Sequence, residues 1–177
     1  MPHTLKLHPD STCASVIRID ASVSRQATLL TVRYVLHGNI ASLAIPPGAA
    51  PQRVDGLWQH TCFEVFIRAA DAEYFEFNLS PSTQWAAYRF EAWREGRADA
   101  EIAAPVVTVT TSADRFELQT VIDCTPLAEL RTRAWRVALS AVIEERLGSS
   151  TSYWALAHPP GKADFHHTDG FAIELAD

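Results

Sequence analysis

The sequence predicts an all-β fold, an antiparallel two-sheet β-sandwich with at most one or two short helices. Three observations lead there. Apolar residues recur with period two in segment after segment. Those segments are rich in β-branched and aromatic residues. They number about ten and are separated by turns carrying Pro, Gly or Ser, the spacing of an all-β sandwich or barrel.

The elements follow in order. Ala14 to Asp20 is β-branched and apolar. Ala27 to Gly38 alternates, with Leu30, Val32, Tyr34 and Leu36 on one face and Arg33 and His37 on the other. Ile40 to Ile45 is expected to pair beside it, before a Pro- and Gly-rich loop, PPGAAPQRVDG. Trp58 to Ile67 turns Phe63, Val65 and Ile67 to the core and Cys62, Glu64 and Phe66 away. Ala72 to Ser80 puts Phe75, Phe77 and Leu79 inward and Tyr74, Glu76 and Asn78 outward. Ser80-Pro81-Ser82 is a turn. In Thr83 to Trp93, Trp85, Ala87 and Arg89 oppose Ala86, Tyr88 and Phe90, and alternation leaves open which set is buried. Glu95-Gly96-Arg97 is the next turn, then come strands at Val106 to Thr111 and Phe116 to Ile122. Thr125-Pro126 opens a helical turn to Leu130, with Thr125 as N-cap and Pro at the first helical position. Trp135 to Ile143 alternates with Trp135, Val137, Leu139, Ala141 and Ile143 inward. Ser152 to Leu156 and Phe171 to Leu175 are the last strands. Good helix formers keep a helical alternative open at Ala98–Ala104 and Leu127–Ala141.

Residues 1–177 fit one domain, without repeats or low-complexity tracts. A net charge of −6 argues against a nucleic-acid partner, which would need clustered Lys and Arg. The short set Arg131, Arg133 and Arg136 reads as a solvated strand entrance. No apolar run reaches the roughly 18 residues of a membrane helix, so no membrane partner is expected. The start MPHTLKLHPDSTCASV lacks the basic and apolar regions of a secretory leader. Cys13, Cys62 and Cys124 are odd in number and far apart, as reduced thiols are. Together these predict a cytoplasmic protein. Glycine-rich phosphate loops, a G-x-S-x-G elbow (absent around Gly148-Ser149-Ser150) and zinc-type spacings are missing, so no cofactor, metal or catalytic residue is assigned.

Two segments, LWQHTCFEVFIRAADAEYFEFNLSPSTQWAAYRF (Leu57 to Phe90) and SYWALAHPPGKADFHHTDGF (Ser152 to Phe171), resemble the bacterial DOMON-like domain proteins, which are related in fold to the family 9 carbohydrate-binding modules. The resemblance is most specific in CFEVF and YFEFNLSPS. It implies a jelly-roll-like sandwich and a ligand-binding rather than catalytic heritage. The axial Met and His of haem-carrying DOMON proteins have no counterpart, because the single methionine is Met1. The tryptophan clamp of the sugar-binding modules leaves Trp58, Trp85, Trp93 and Trp154 as candidates.

Three constellations could carry binding. His60 and Glu64 share one strand face, and Tyr74, Glu76 and Asn78 another, so a hairpin would gather them into a polar face. Carboxylates and amides suit sugar hydroxyls, whereas a solvated outer face is the bland alternative. The segment His158 to His167 concentrates His158, Lys162, Asp164, His166 and His167 behind Pro159-Pro160-Gly161. Prolines stiffen the chain and Gly161 lets it turn, so the segment is expected to fold over the polar face, as a ligand site or as a structural polar network. Trp85 and Trp154 sit in phase with polar Arg89 and His158, where a ring could be a stacking platform. The expected function is a non-catalytic binding module for a carbohydrate or similar polar small ligand. The alternatives are a glycoside hydrolase using Glu64 and Glu76, or a protein-interaction sandwich.

Overall fold

A computed structural model describes residues 2–69, 72–131, 134–148 and 150–176, which leaves Met1, Arg133 and Ser149 outside the described residues. The strands are β1 (His3–Leu7), β2 (Val16–Gln26), β3 (Leu29–Gly38), β4 (Cys62–Arg68), β5 (Tyr74–Leu79), β6 (Trp85–Phe90), β7 (Ala98–Asp99), β8 (Val106–Thr111), β9 (Arg115–Asp123), β10 (Trp135–Glu144), β11 (Thr151–Ala155) and β12 (Ile173–Leu175). The remaining regular structure among the described residues is four single 3-10 turns, Ile40–Ser42, Leu57–Gln59, Ala128–Leu130 and Thr168–Gly170.

All strand pairings are antiparallel. The ladder runs β7-β6-β5-β4-β10-β11-β1-β2-β3-β9-β8, with β12 beside β10. The link between its halves is β1, which meets β2 through His3 to Leu5 and β11 through Lys6 and Leu7. β1 is not legible in the sequence. In HTLKL only Leu5 is buried, too little alternation to signal a strand. Ile40 to Ile45 forms a 3-10 turn and one bridge, Leu43 to Glu145, because Pro46 and Pro47 cannot donate to a continuing ladder. The helical alternative at Ala98–Ala104 gives way to the two-residue β7, and Leu127–Ala141 holds only the 3-10 turn Ala128–Leu130 before β10, a turn whose N-cap is Leu127 rather than Thr125.

The two halves of the ladder contribute to one buried core. Phe63, Val65 and Ile67 of β4 and Phe75, Phe77 and Leu79 of β5 are buried with Leu30, Val32, Tyr34 and Leu36 of β3. Tyr34 donates from its hydroxyl to the backbone oxygen of Glu64 at 2.6 Å, and its ring lies 4.9 Å from that of Phe63. Phe63 in turn stacks on Phe116 of β9 at 5.8 Å. Each such side chain contributes about 1.5–3 kcal/mol of burial.

The opposite face of β4, β5 and β6 is buried as well. Phe66, Tyr74, Ala86, Tyr88 and Phe90 form a second apolar cluster with Ala138 and with Phe171 of the C-terminal segment. Glu64, Glu76 and Asn78 on this face are only 3%, 6% and 0% exposed. A solvated polar face is thereby corrected: polar alternation here marks a second interface, because the segment after β11 covers it.

Candidate functional site

The antiparallel register sets the floor. Ser140 of β10, Glu64 of β4, Asn78 of β5 and Ala86 of β6 lie side by side, and the next row holds Phe66, Glu76 and Tyr88. Ser140 and Ala86 keep the Glu64 row low, and a cleft of about 670 Å³ opens above the carboxyls. Glu64, Glu76, Tyr88 and Phe90 line its base. Trp58, Arg94 and Arg97 also line it, as do Lys162, Phe165 and His166 of the C-terminal segment, with His8 and Tyr153.

The walls are tied down by polar bonds. Asp164 accepts from the Arg94 guanidinium at 2.8 Å, from the His166 backbone at 3.1 Å and from Trp93 Nε1 at 3.2 Å. Burial opposes ionisation of Asp164, but these donors, Arg94 first, hold its carboxyl below the usual range. Tyr88 donates to Asp55, which also pairs with Arg97 at 3.2 Å, and the Arg97 guanidinium lies 4.5 Å over the Tyr88 ring. The Tyr88 hydrogen bond is the main reason the Asp55 carboxyl is lowered. His8 Nδ1 accepts from the Asp10 backbone, so its Nε2 donates to the Gly161 oxygen at 3.0 Å.

A proton inventory follows from the same bonds. The Tyr74 hydroxyl accepts from the Arg94 backbone at 3.0 Å, so its hydrogen goes to His166 Nδ1 at 2.8 Å. The His166 proton then sits on Nε2, 3.7 Å from Glu76 Oε2. Burial, then Arg94, push His166 down to about 4, so the ring is neutral near pH 7. Burial pushes Glu64 well above the usual carboxyl range, with the Glu76 charge adding to it and Arg94 opposing. Glu76 is raised by burial too, against Asn78, whose Nδ2 donates to it at 2.9 Å. Among the described residues no donor reaches the Glu64 carboxylate, and the buried Asn78 Oδ1 and Ser140 Oγ have no partner.

The structure gathers part of the set named from the sequence. The C-terminal segment crosses the polar face, bringing Lys162 and His166 to the cleft with Glu64 and Glu76, while Tyr74, Asn78 and Asp164 support it from behind. The others lie elsewhere. His60 is exposed and pairs with Glu144 at 2.9 Å. Trp85 turns into the core beneath Arg53, 4.6 Å from its ring. Arg89 pairs with Glu73 at 2.5 Å and Glu129 at 3.6 Å. Trp154 is buried on the core face and donates to Ser152 at 3.0 Å. His158 donates from Nε2 to the Lys6 oxygen at 2.8 Å, edge-on to His8. His167 accepts from the Asp169 backbone, capping the final 3-10 turn. The phase of Trp85 and Trp154 with polar residues misleads because Arg89 and His158 lie toward strand ends, where a core face meets solvent. Sequence reasoning missed Tyr88, Arg94, Arg97, Tyr153 and His8. The available signal was the tight Glu95-Gly96 turn, which folds the arginines on either side of it back over β6.

Among the described residues no group of three or more His, Cys, Asp or Glu is placed to hold a metal ion. No protein-family model and no curated protein matches the sequence. Solved structures do. A candidate carbohydrate-binding protein of Bacteroides uniformis superposes with a TM-score of 0.69 at 13% identity, over 99% of this chain and 85% of its own. A family 9 carbohydrate-binding module of Caldicellulosiruptor kristjanssonii in complex with glucose gives 0.55 at 6% identity, over 97% and 83%. The same organism's family 9 module in complex with cellotriose gives 0.57 at 7%, over 97% and 80%. At these identities the likeness establishes a shared all-β fold.

Proposed function

We propose that residues 1–177 form one jelly-roll-type sandwich domain whose cleft binds a carbohydrate without transforming it. The observation that carries this reading is the cleft itself. Its volume lies in the range of small-molecule sites. Trp58 and Tyr153, 48% and 37% exposed, offer ring faces to the C–H surface of a sugar. Buried carboxyls on the floor and guanidinium and ammonium groups on the walls meet its hydroxyls. The shared fold supports the same class of ligand, since two of the similar structures hold glucose and cellotriose. The free cysteines suit a reducing compartment, and the reading places the protein in the cytoplasm.

A glycan array followed by calorimetry tests it. Millimolar or tighter binding of a mono- or oligosaccharide is expected, weakened about tenfold or more by Trp58→Ala, in line with about 1–3 kcal/mol for a lost stacking partner. Binding of no saccharide at millimolar concentration overturns it. Turnover of chromogenic glycosides that is lost in Glu64→Gln would replace it with a hydrolytic function.

A further inference from the structure

The cleft is dipolar. Its floor offers acceptors and its rim carries cations, and this asymmetry restricts what can sit in it. Glu64 is 3% exposed, lines the cleft and accepts from no donor among the described residues. Glu76 beside it is 6% exposed, with one oxygen taken by Asn78 and the other 3.7 Å from His166. A buried acceptor left unpaired destabilises the fold, more so when charged. The floor is therefore completed by a ligand that brings hydrogens.

Among the described residues, no rim cation is hydrogen-bonded to either carboxyl. Arg94 is held by Asp164 at 2.8 Å and Arg97 by Asp55 at 3.2 Å. Lys162, which also lines the cleft, is exposed.

From this geometry we infer that the cleft selects an amino sugar, with its ammonium seated between Glu64 and Glu76 and its ring and hydroxyls toward Trp58 and the rim. This rests on the carbohydrate reading and adds to it the charge of the ligand. A hydroxyl donates one hydrogen to the two carboxyls, whereas an ammonium donates three and compensates the charge they carry when they ionise. Among the described residues no three His, Cys, Asp or Glu are grouped to hold a metal ion instead. A linear polyamine fits poorly because its distal charges would meet Arg94, Arg97 and Lys162. N-acetylation removes both the charge and two of the three donors.

The experiment is calorimetry of the full chain with glucosamine, glucose, N-acetylglucosamine and spermidine, at a slightly acidic pH that keeps the amines protonated. Glucosamine is expected to bind at least about tenfold tighter than glucose or N-acetylglucosamine, a difference of about 1.4 kcal/mol. Spermidine is expected to be weaker than glucosamine. Glu64→Gln should bring the ratio of glucosamine to glucose affinity to near unity. If that variant does not fold, Glu76→Gln, which removes the other charge, should reduce the preference. Equal affinity for glucose and glucosamine, or tighter binding of spermidine, overturns the inference and leaves the carbohydrate reading in place. Binding of no sugar removes both. A preference that survives in folded Glu64→Gln and Glu76→Gln also overturns it.

Discussion

At the scale of single residues, the cleft runs on opposed titrations. The Glu64 carboxyl is raised in the folded chain, so the folded state keeps its proton to higher pH than the unfolded state. Its contribution is present below the unfolded value and is lost as pH rises through the folded one. Glu64→Gln is therefore expected to raise the melting temperature near pH 8, with the difference closing as pH falls. Thermal scans across pH check this. His166 runs the other way. Its pKa is about 4 against an ordinary 6.5, so stability present above 6.5 is lost as pH falls toward 4. The full shift corresponds to about 3 kcal/mol. His166→Gln should flatten the acid side of the stability profile, measured by urea unfolding at two pH values. A variant as acid-sensitive as the parent would refute the neutral imidazole. The sequence was legible here to the extent that alternation placed Tyr74, Glu76 and Asn78 on one face. Their partners were not, because His166 approaches Tyr74 from 92 positions away and period two carries no information at that range.

Among elements, the segment between β11 and β12 is held over the sheet by a few named bonds, above all those of Asp164 to Arg94, Trp93 and His166. Asp164→Ala should speed amide exchange over residues 157–170 and weaken saccharide binding about tenfold, while protection of β4 and β10 is unchanged. Uniform loss of protection would mean the segment is part of the fold's stability rather than a wall. The β2–β3 junction is rigid in another way. The register shifts between Val16 and Arg18, and a Cβ on Gly38 would sit 2.0 Å from the Ser15 oxygen. That neighbour is backbone and yields poorly, so Gly38→Ala should cost about 3 kcal/mol in denaturant unfolding. Long strands were legible because they repeat their alternation several times. The two-residue β7 and the five-residue β1 were not, since each is defined by what it pairs with.

For the whole molecule, the order of strands is the part a sequence conceals. Inward faces of β3, β4, β9 and β10 follow from their own residues, but β10 beside β4 and β11 beside β1 are choices made by packing. Because β1 is bonded into both halves, they should melt together. Circular dichroism and tryptophan fluorescence are expected to give coincident transitions. Leu5→Ala, which deletes a side chain 2% exposed, should shift both by about 2–5 kcal/mol. Separate transitions would show that the halves hold independently.

The same strand imposes an order of events during synthesis. Residues 3–7 leave the ribosome early and can meet β2 soon after, but their second neighbour, 151–155, is translated far later. Until then the two halves have no ladder between them, and the edges that β1 and β10 will later share with β11 are open to other chains. A nascent chain stalled before residue 151 should stay sensitive to protease and be held by chaperones. One extended past β11 should become resistant in a single step.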